Sequence, residues 1–207
     1  MHYAFPVLAV AVLSCVPLFY SFEKRENSAG ELIVLAVLVA ISALGRFLFA
    51  WLPSFKPVAA ITIIAGIWLG MESGFVVGSL SAVVSNFYFG QGPWTPFQMF
   101  AWGFIGFLAG VLSKPLRKNK LILALFGALA GILYSLILDI WTVLWADGVW
   151  NPERYLTAVG TSFVVMIEYA VSNVIFCLLL AKPIGEKLDR IRVKYGLFLR
   201  KEEAEGS

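Results

Sequence analysis

Residues 74–110 read GFVVGSLSAVVSNFYFGQGPWTPFQMFAWGFIGFLAG, and this run decides the fold class. Its two ends are apolar and punctuated by glycine. Its middle, Gly90-Gln91-Gly92-Pro93-Trp94-Thr95-Pro96, holds two prolines and two glycines in seven residues. Such a segment cannot be helical throughout, because proline removes a backbone donor and glycine loosens the chain. The run therefore reads as two helices joined by a tight loop. Asn86, Gln91, Trp94, Gln98 and Trp102 crowd this break. A polar, aromatic break at the end of helices greasy enough for lipid marks a place that receives something.

Working outward, 60% of the 207 residues are hydrophobic and 14% are charged. Soluble domains carry roughly 25% charged residues. The charges are also segregated, into 23–31, 114–120 and 182–205. The chain is an all-α polytopic membrane protein, with room for about seven spans of roughly 20 residues. Continuous apolar runs exclude the strict alternation of a membrane β-barrel. A net charge of +3 is no nucleic-acid signature, since the basic residues sit at helix ends. Cys15 and Cys177 form no disulfide or metal pattern, and no P-loop or metal-binding motif is present. The single histidine, His2, is terminal and reads as solvated. No catalytic cluster and no metal site is expected, and any ATP hydrolysis that drives transport belongs to other polypeptides.

Apolar periods place helices at 3–21, 31–51, 58–70, 74–89, 97–112, 121–146 and 156–181. The first has no Lys or Arg before it, which favours a retained helix over a cleaved signal peptide. Ser28 is placed to cap the second. That helix carries Ala36-xxx-Ala40, small residues that let another backbone approach, either within the protein or from a partner subunit. Gly66, Gly70, Gly74 and Gly78 recur every four residues and predict close helix contact. Trp141, Trp145 and Trp150 read as an interfacial belt. From Lys182 the chain becomes basic and amphipathic, with Leu188, Ile191, Tyr195 and Leu199 at helical spacing, a pattern suited to a membrane surface or a solvated helix end.

Seven spans with the N-terminus outside put thirteen basic residues on one side and leave Arg46, Lys56 and Arg154 on or near the other. This positive-inside asymmetry turns the loops at 52–57, 90–96 and 147–155 outward and leaves the C-terminus in the cytoplasm. Arg46, Asp139 and Glu168 are the ionisable groups inside spans. Arg46 and Asp139 share the outer third and can form an ion pair. Glu168 lies nearer the middle and is the better functional candidate. An aromatic belt would explain Trp94 and Trp102, but not the two amides beside the glycine-proline turn. Aromatics with a few placed amides are what a pocket for a bulky or flat organic solute needs.

The Ala-xxx-Ala pair, the helix after Phe55-Lys56-Pro57-Val58 and above all the run at 86–110 resemble the substrate-binding S components of energy-coupling factor (ECF) vitamin transporters. The resemblance spans about 31–185 as six helices, and the helix at 3–21 stands outside it. It implies three regions: an N-terminal transmembrane helix at 1–22, a six-helix substrate-binding domain at 31–185 and a basic cytoplasmic tail at 186–207. The likeness is greatest to cobalamin-type members, while related members take riboflavin, pantothenate or folate. It implies a vitamin held as substrate, with no covalently bound cofactor. It also implies partnership with a transmembrane coupling protein and two ATP-binding subunits, in a prokaryotic plasma membrane. ATP turnover in those subunits would topple the S component and release the vitamin inside. Ala36 and Ala40 would form the docking face. Asn86, Gln91, Trp94, Gln98 and Trp102, with Asp139 and Glu168, are the candidate substrate contacts. Residue chemistry alone does not separate a corrin from a flavin. A self-sufficient ion-coupled transporter is the rival, with Asp139 and Glu168 carrying ions, but no inverted repeat supports it.

Overall fold

The apolar segments become helices wherever the chain lacks proline and glycine pairs, and the loops fall where those residues cluster. A computed structural model describes residues 4–24 and 27–198. Expectations for His2, Leu199 and the remaining tail lie outside the described residues. The described chain is helical, without strands: α1 (Ala4–Glu23), α2 (Ala29–Leu48), α3 (Val58–Leu69), α4 (Met71–Phe89), α5 (Thr95–Val111), α6 (Ser113–Lys118), α7 (Lys120–Asp147) and α8 (Pro152–Tyr195). The protein is an α-helical membrane protein. By length and composition α2, α7 and α8 can cross a membrane, while α3 and α5 are shorter apolar helices.

The helix starts follow local chemistry. Ser28 and Glu31 form a reciprocal capping box on α2, as the serine predicted. Asn119 accepts from the Leu121 and Ile122 amides to open α7, and Asn151 accepts from Arg154 to open α8. Gly148 ends α7 in the left-handed conformation.

All twelve residues of α3 are buried, so this helix faces protein on every side. At 1.5 Å per residue it is about 18 Å long, well short of a roughly 30 Å hydrocarbon core. Gly70, at φ 102°, breaks the chain between α3 and α4, a geometry that glycine adopts without a Cβ clash. The glycine repeat then does what its spacing predicted. A Cβ on Gly66 or Gly74 would run into the Gly106 backbone of α5, and one on Gly78 would meet Trp102 and Gly103. On the other side, Gly127 and Gly131 of α7 lie against Asn173 and Ala170 of α8. Two close-packed pairs, α4 with α5 and α7 with α8, thus enclose α3.

The last apolar span and the basic tail are one helix, which differs from the expected end at 181. Pro183 lies inside α8. Beyond it Gly185 seats on the Trp68 ring, Trp68 Nε1 donates to Asp189 Oδ2, and Leu188 is buried. These contacts carry the helix past a proline that would otherwise stop it. Phe198 then returns to α2, its amide donating to Glu31. The α1 helix packs beside α4 and α5, with Phe19 edge-on to Phe75 and Ser21 Oγ donating to Glu72.

Candidate functional site

Five helices bring polar side chains to one buried cluster. At the end of α2, Arg46 Nη1 donates to Ser85 Oγ and Asn86 Oδ1 of α4, both at 2.6 Å. Its guanidinium carbon stands 4.4 Å from the Phe89 ring centre and 5.3 Å from that of Trp102, within cation–π range. Asn86, 1% exposed, donates to Thr95 Oγ1 at 2.9 Å and to Gln98 Oε1 at 2.8 Å. Gln98 passes the chain on to the Tyr134 hydroxyl of α7 at 3.2 Å. Tyr134 stacks on Trp102, centroids 5.1 Å apart and planes within 9°, and meets Tyr169 of α8 edge-on. Arg46, lacking a carboxylate among these partners, is held by neutral acceptors and ring faces.

The cluster lines a cavity of about 70 Å³, with Val58 and Ala59 at the start of α3 in its wall. Because α3 is short, the helix bundle leaves this space beyond its N-terminus. The loop at 49–57 covers it, pinned by Ser172, whose hydroxyl accepts from the Lys56 amide and donates to the Lys56 carbonyl. Lys56 faces the cavity as well. Burial, and secondarily the charge of Arg46, hold its ammonium below the usual lysine range. No Asp or Glu lines the cavity against these two cations. Asn173, 3% exposed, lines it too, and its side-chain amide has no hydrogen-bond partner among the described residues. Facing the cavity, this amide is available to whatever occupies it, water included.

Of the residues singled out in the sequence, Arg46, Gln98 and Trp102 are in the cavity wall and Asn86 braces them from behind. The others lie apart from it. Gln91 is exposed and ties its own loop, donating to the Val83 carbonyl and accepting from Thr95. Trp94 is 38% exposed and folds over Gly92. Asp139 accepts from Ser162 Oγ at 2.6 Å, so it does not pair with Arg46 as their shared depth led one to expect. Once Arg46 is satisfied by Ser85 and Asn86, a serine hydroxyl is the nearer partner for the carboxylate. Glu168 is half-buried on α8, outside the cavity. Lys56, Tyr134, Tyr169 and Asn173 were missed as site residues; Tyr169 and Asn173, four apart on α8, share a helix face, but no spacing links them to Lys56 or Tyr134.

Ala36 and Ala40 lie on an exposed face of α2 that also presents Ile33, Val37 and Leu44. This face packs against nothing within the described protein.

A bundle with a polar, aromatic cavity inside apolar helices is the form of a membrane solute receptor. A protein-family profile described as "ECF-type riboflavin transporter, S component" matches residues 26–190. The chain belongs to this family. It is thus an S component, the vitamin-binding subunit of an ECF transporter rather than an enzyme, and it resides in a membrane. No curated protein and no solved structure matched the chain.

Proposed function

We propose that this S component captures a flat heteroaromatic vitamin, riboflavin in the first instance, in the cavity between Trp102 and Asn173. The observation that carries the proposal is the open Asn173 amide beside a stacked indole. An isoalloxazine ring would have to displace Tyr134 or the Arg46 guanidinium from the Trp102 ring to stack there, and its edge offers hydrogen-bond acceptors to Arg46, Gln98 and Asn173. The matched family's description names riboflavin, so the cobalamin preference drawn from residues 86–110 gains nothing from it. Size points the same way. Sites for small organic ligands run from roughly 300 Å³ upward, so the 70 Å³ cavity must widen for either vitamin. A flavin asks for far less widening than a corrinoid. The loop at 49–57, which supplies Lys56 to the cavity wall, is the segment whose movement would open it.

The exposed Ala36 and Ala40 face fits docking to a transmembrane coupling protein, whose two ATP-binding subunits would supply the energy. The thirteen-to-three distribution of basic residues favours a cytoplasmic C-terminus in a prokaryotic plasma membrane. An ion-coupled transporter would need Asp139 and Glu168 on the solute path, and neither lines the cavity.

The test is a titration of the purified chain in detergent with riboflavin, cobalamin, pantothenate and folate. Riboflavin should bind at one saturable site, with its fluorescence quenched by the indole. Saturable cobalamin binding without riboflavin binding would overturn the choice of vitamin. No binding to any of the four would overturn the cavity reading.

A further inference from the structure

A second cavity, of about 600 Å³, opens at the basic end of the bundle, between the α3–α4 junction, α6 and the end of α8. Lys114, Arg117, Lys118 and Arg192 line it, and Glu72 is its acidic member. Arg117 is already committed, bonded to Asp189 and standing 5.3 Å over the Trp68 ring. Lys114 and Lys118 have no ion-pair partner among the described residues. Arg192 donates one guanidinium hydrogen weakly to the Phe198 carbonyl at 3.4 Å, and its Nε is buried with no hydrogen-bond partner among the described residues. Two lysines without an ion-pair partner and a partly satisfied arginine, against one carboxylate in the lining, leave the walls electropositive. The first turn of α4 opens on the same space, and no side chain caps its amides. Such a helix start favours an anion.

An orphaned guanidinium N–H beside two unpaired lysines calls for an acceptor with several oxygens and a negative charge. We infer that this cavity is a binding site for a phosphate-bearing group, separate from the vitamin cavity and independent of which vitamin is carried. A phospholipid headgroup and a soluble phosphate compound share that chemistry. The amphipathic end of α8 brings the cavity to where a membrane surface would lie.

The experiment compares the wild-type chain with two triple variants. Lys114→Gln/Lys118→Gln/Arg192→Gln strips the cavity. Lys182→Gln/Lys187→Gln/Arg190→Gln removes equal charge from α8 outside it. Native mass spectrometry from micelles containing phosphatidylglycerol reads the headgroup arm. Thermal stabilisation by inorganic pyrophosphate in lipid-free micelles reads the soluble arm. In whichever arm the wild type responds, the cavity variant should bind about ten-fold or more weakly, while the surface variant stays within a few-fold of wild type. Retention of phosphatidylglycerol alone would identify the headgroup, and a response to pyrophosphate alone would identify a soluble ligand. Equal loss in both triple variants would overturn the site in favour of general surface attraction, and a wild type silent in both arms would also overturn it. Should the cavity variant not fold, Lys118→Gln alone alters one exposed side chain and must still weaken binding; unchanged binding there would refute the inference.

Discussion

Replacing Asn86 by leucine tests whether the polar cluster acts as one unit. Leucine keeps the branching of asparagine but is bulkier, so the change removes the hydrogen bonds and adds a packing cost that the double-mutant cycle below cancels. Three bonds are lost: one from Arg46 at 2.6 Å, one to Thr95 and one to Gln98. Bonds to a charged group contribute about 1.5–3 kcal/mol and neutral ones about 1 kcal/mol. Thr95 keeps Gln91, Gln98 keeps Tyr134, and Arg46 keeps Ser85 and two ring faces. The hydrogen-bond cost should be at most about 3.5–5 kcal/mol, of which about 1.5–3 kcal/mol comes from the arginine bond, the partners that remain lowering it within that bound. Reversible unfolding in mixed dodecyl sulfate and dodecyl maltoside micelles, followed by circular dichroism, measures this cost. A double-mutant cycle with Arg46→Met isolates the shared term, expected at about 1.5–3 kcal/mol. A coupling below about 0.5 kcal/mol is what independent sites show. That result would mean that Asn86 does not hold the guanidinium, and the account of how Arg46 is kept in place would fail.

Trp102→Ala should weaken riboflavin binding by about ten-fold or more, and Trp102→Phe by less, because a ring remains; fluorescence titration reads both. Trp94→Ala should change affinity by no more than about two-fold, since that ring covers Gly92 outside the cavity; the reverse order of effects would move the site to the loop. Ala36→Leu or Ala40→Leu should block co-purification with the coupling protein and leave vitamin binding intact, and assembly with both changes in place would remove α2 as the docking face. Lys56 gives a pH prediction. Its folded value lies below the unfolded one, so the fold disfavours the charged form. That penalty is present at neutral pH and fades as pH rises from the lowered value to about 10.5. Across that window wild type should gain stability relative to Lys56→Gln, and a constant difference would refute the assignment.

Much of the architecture is local and was readable without a structure. Glycine at four-residue spacing brings backbones together whichever partner arrives, which is why 66–78 predicted a tight contact. Ser28 and Glu31 cap a helix by chemistry that needs only four consecutive residues. The continuation of α8 through Pro183 was not readable, because it rests on Trp68 and Asp189, which lie 121 positions apart.

Hydropathy and helix breakers alone give the class of molecule: helices, membrane, and a polar break near Asn86, Gln98 and Trp102. Hydropathy and helix-breaking are properties of short windows, so they survive without tertiary information. Which polar groups share a cavity was decided only by the tertiary structure. Arg46, Lys56, Tyr134, Tyr169 and Asn173 come from α2, the loop before α3, α7 and α8, and beyond the Tyr169–Asn173 pair on α8 no periodicity relates them. They meet because α3 is short and two glycine-packed helix pairs close around it. The same closure leaves Gln91, Trp94, Asp139 and Glu168 outside, although each looked as well placed as Gln98 in the linear chain.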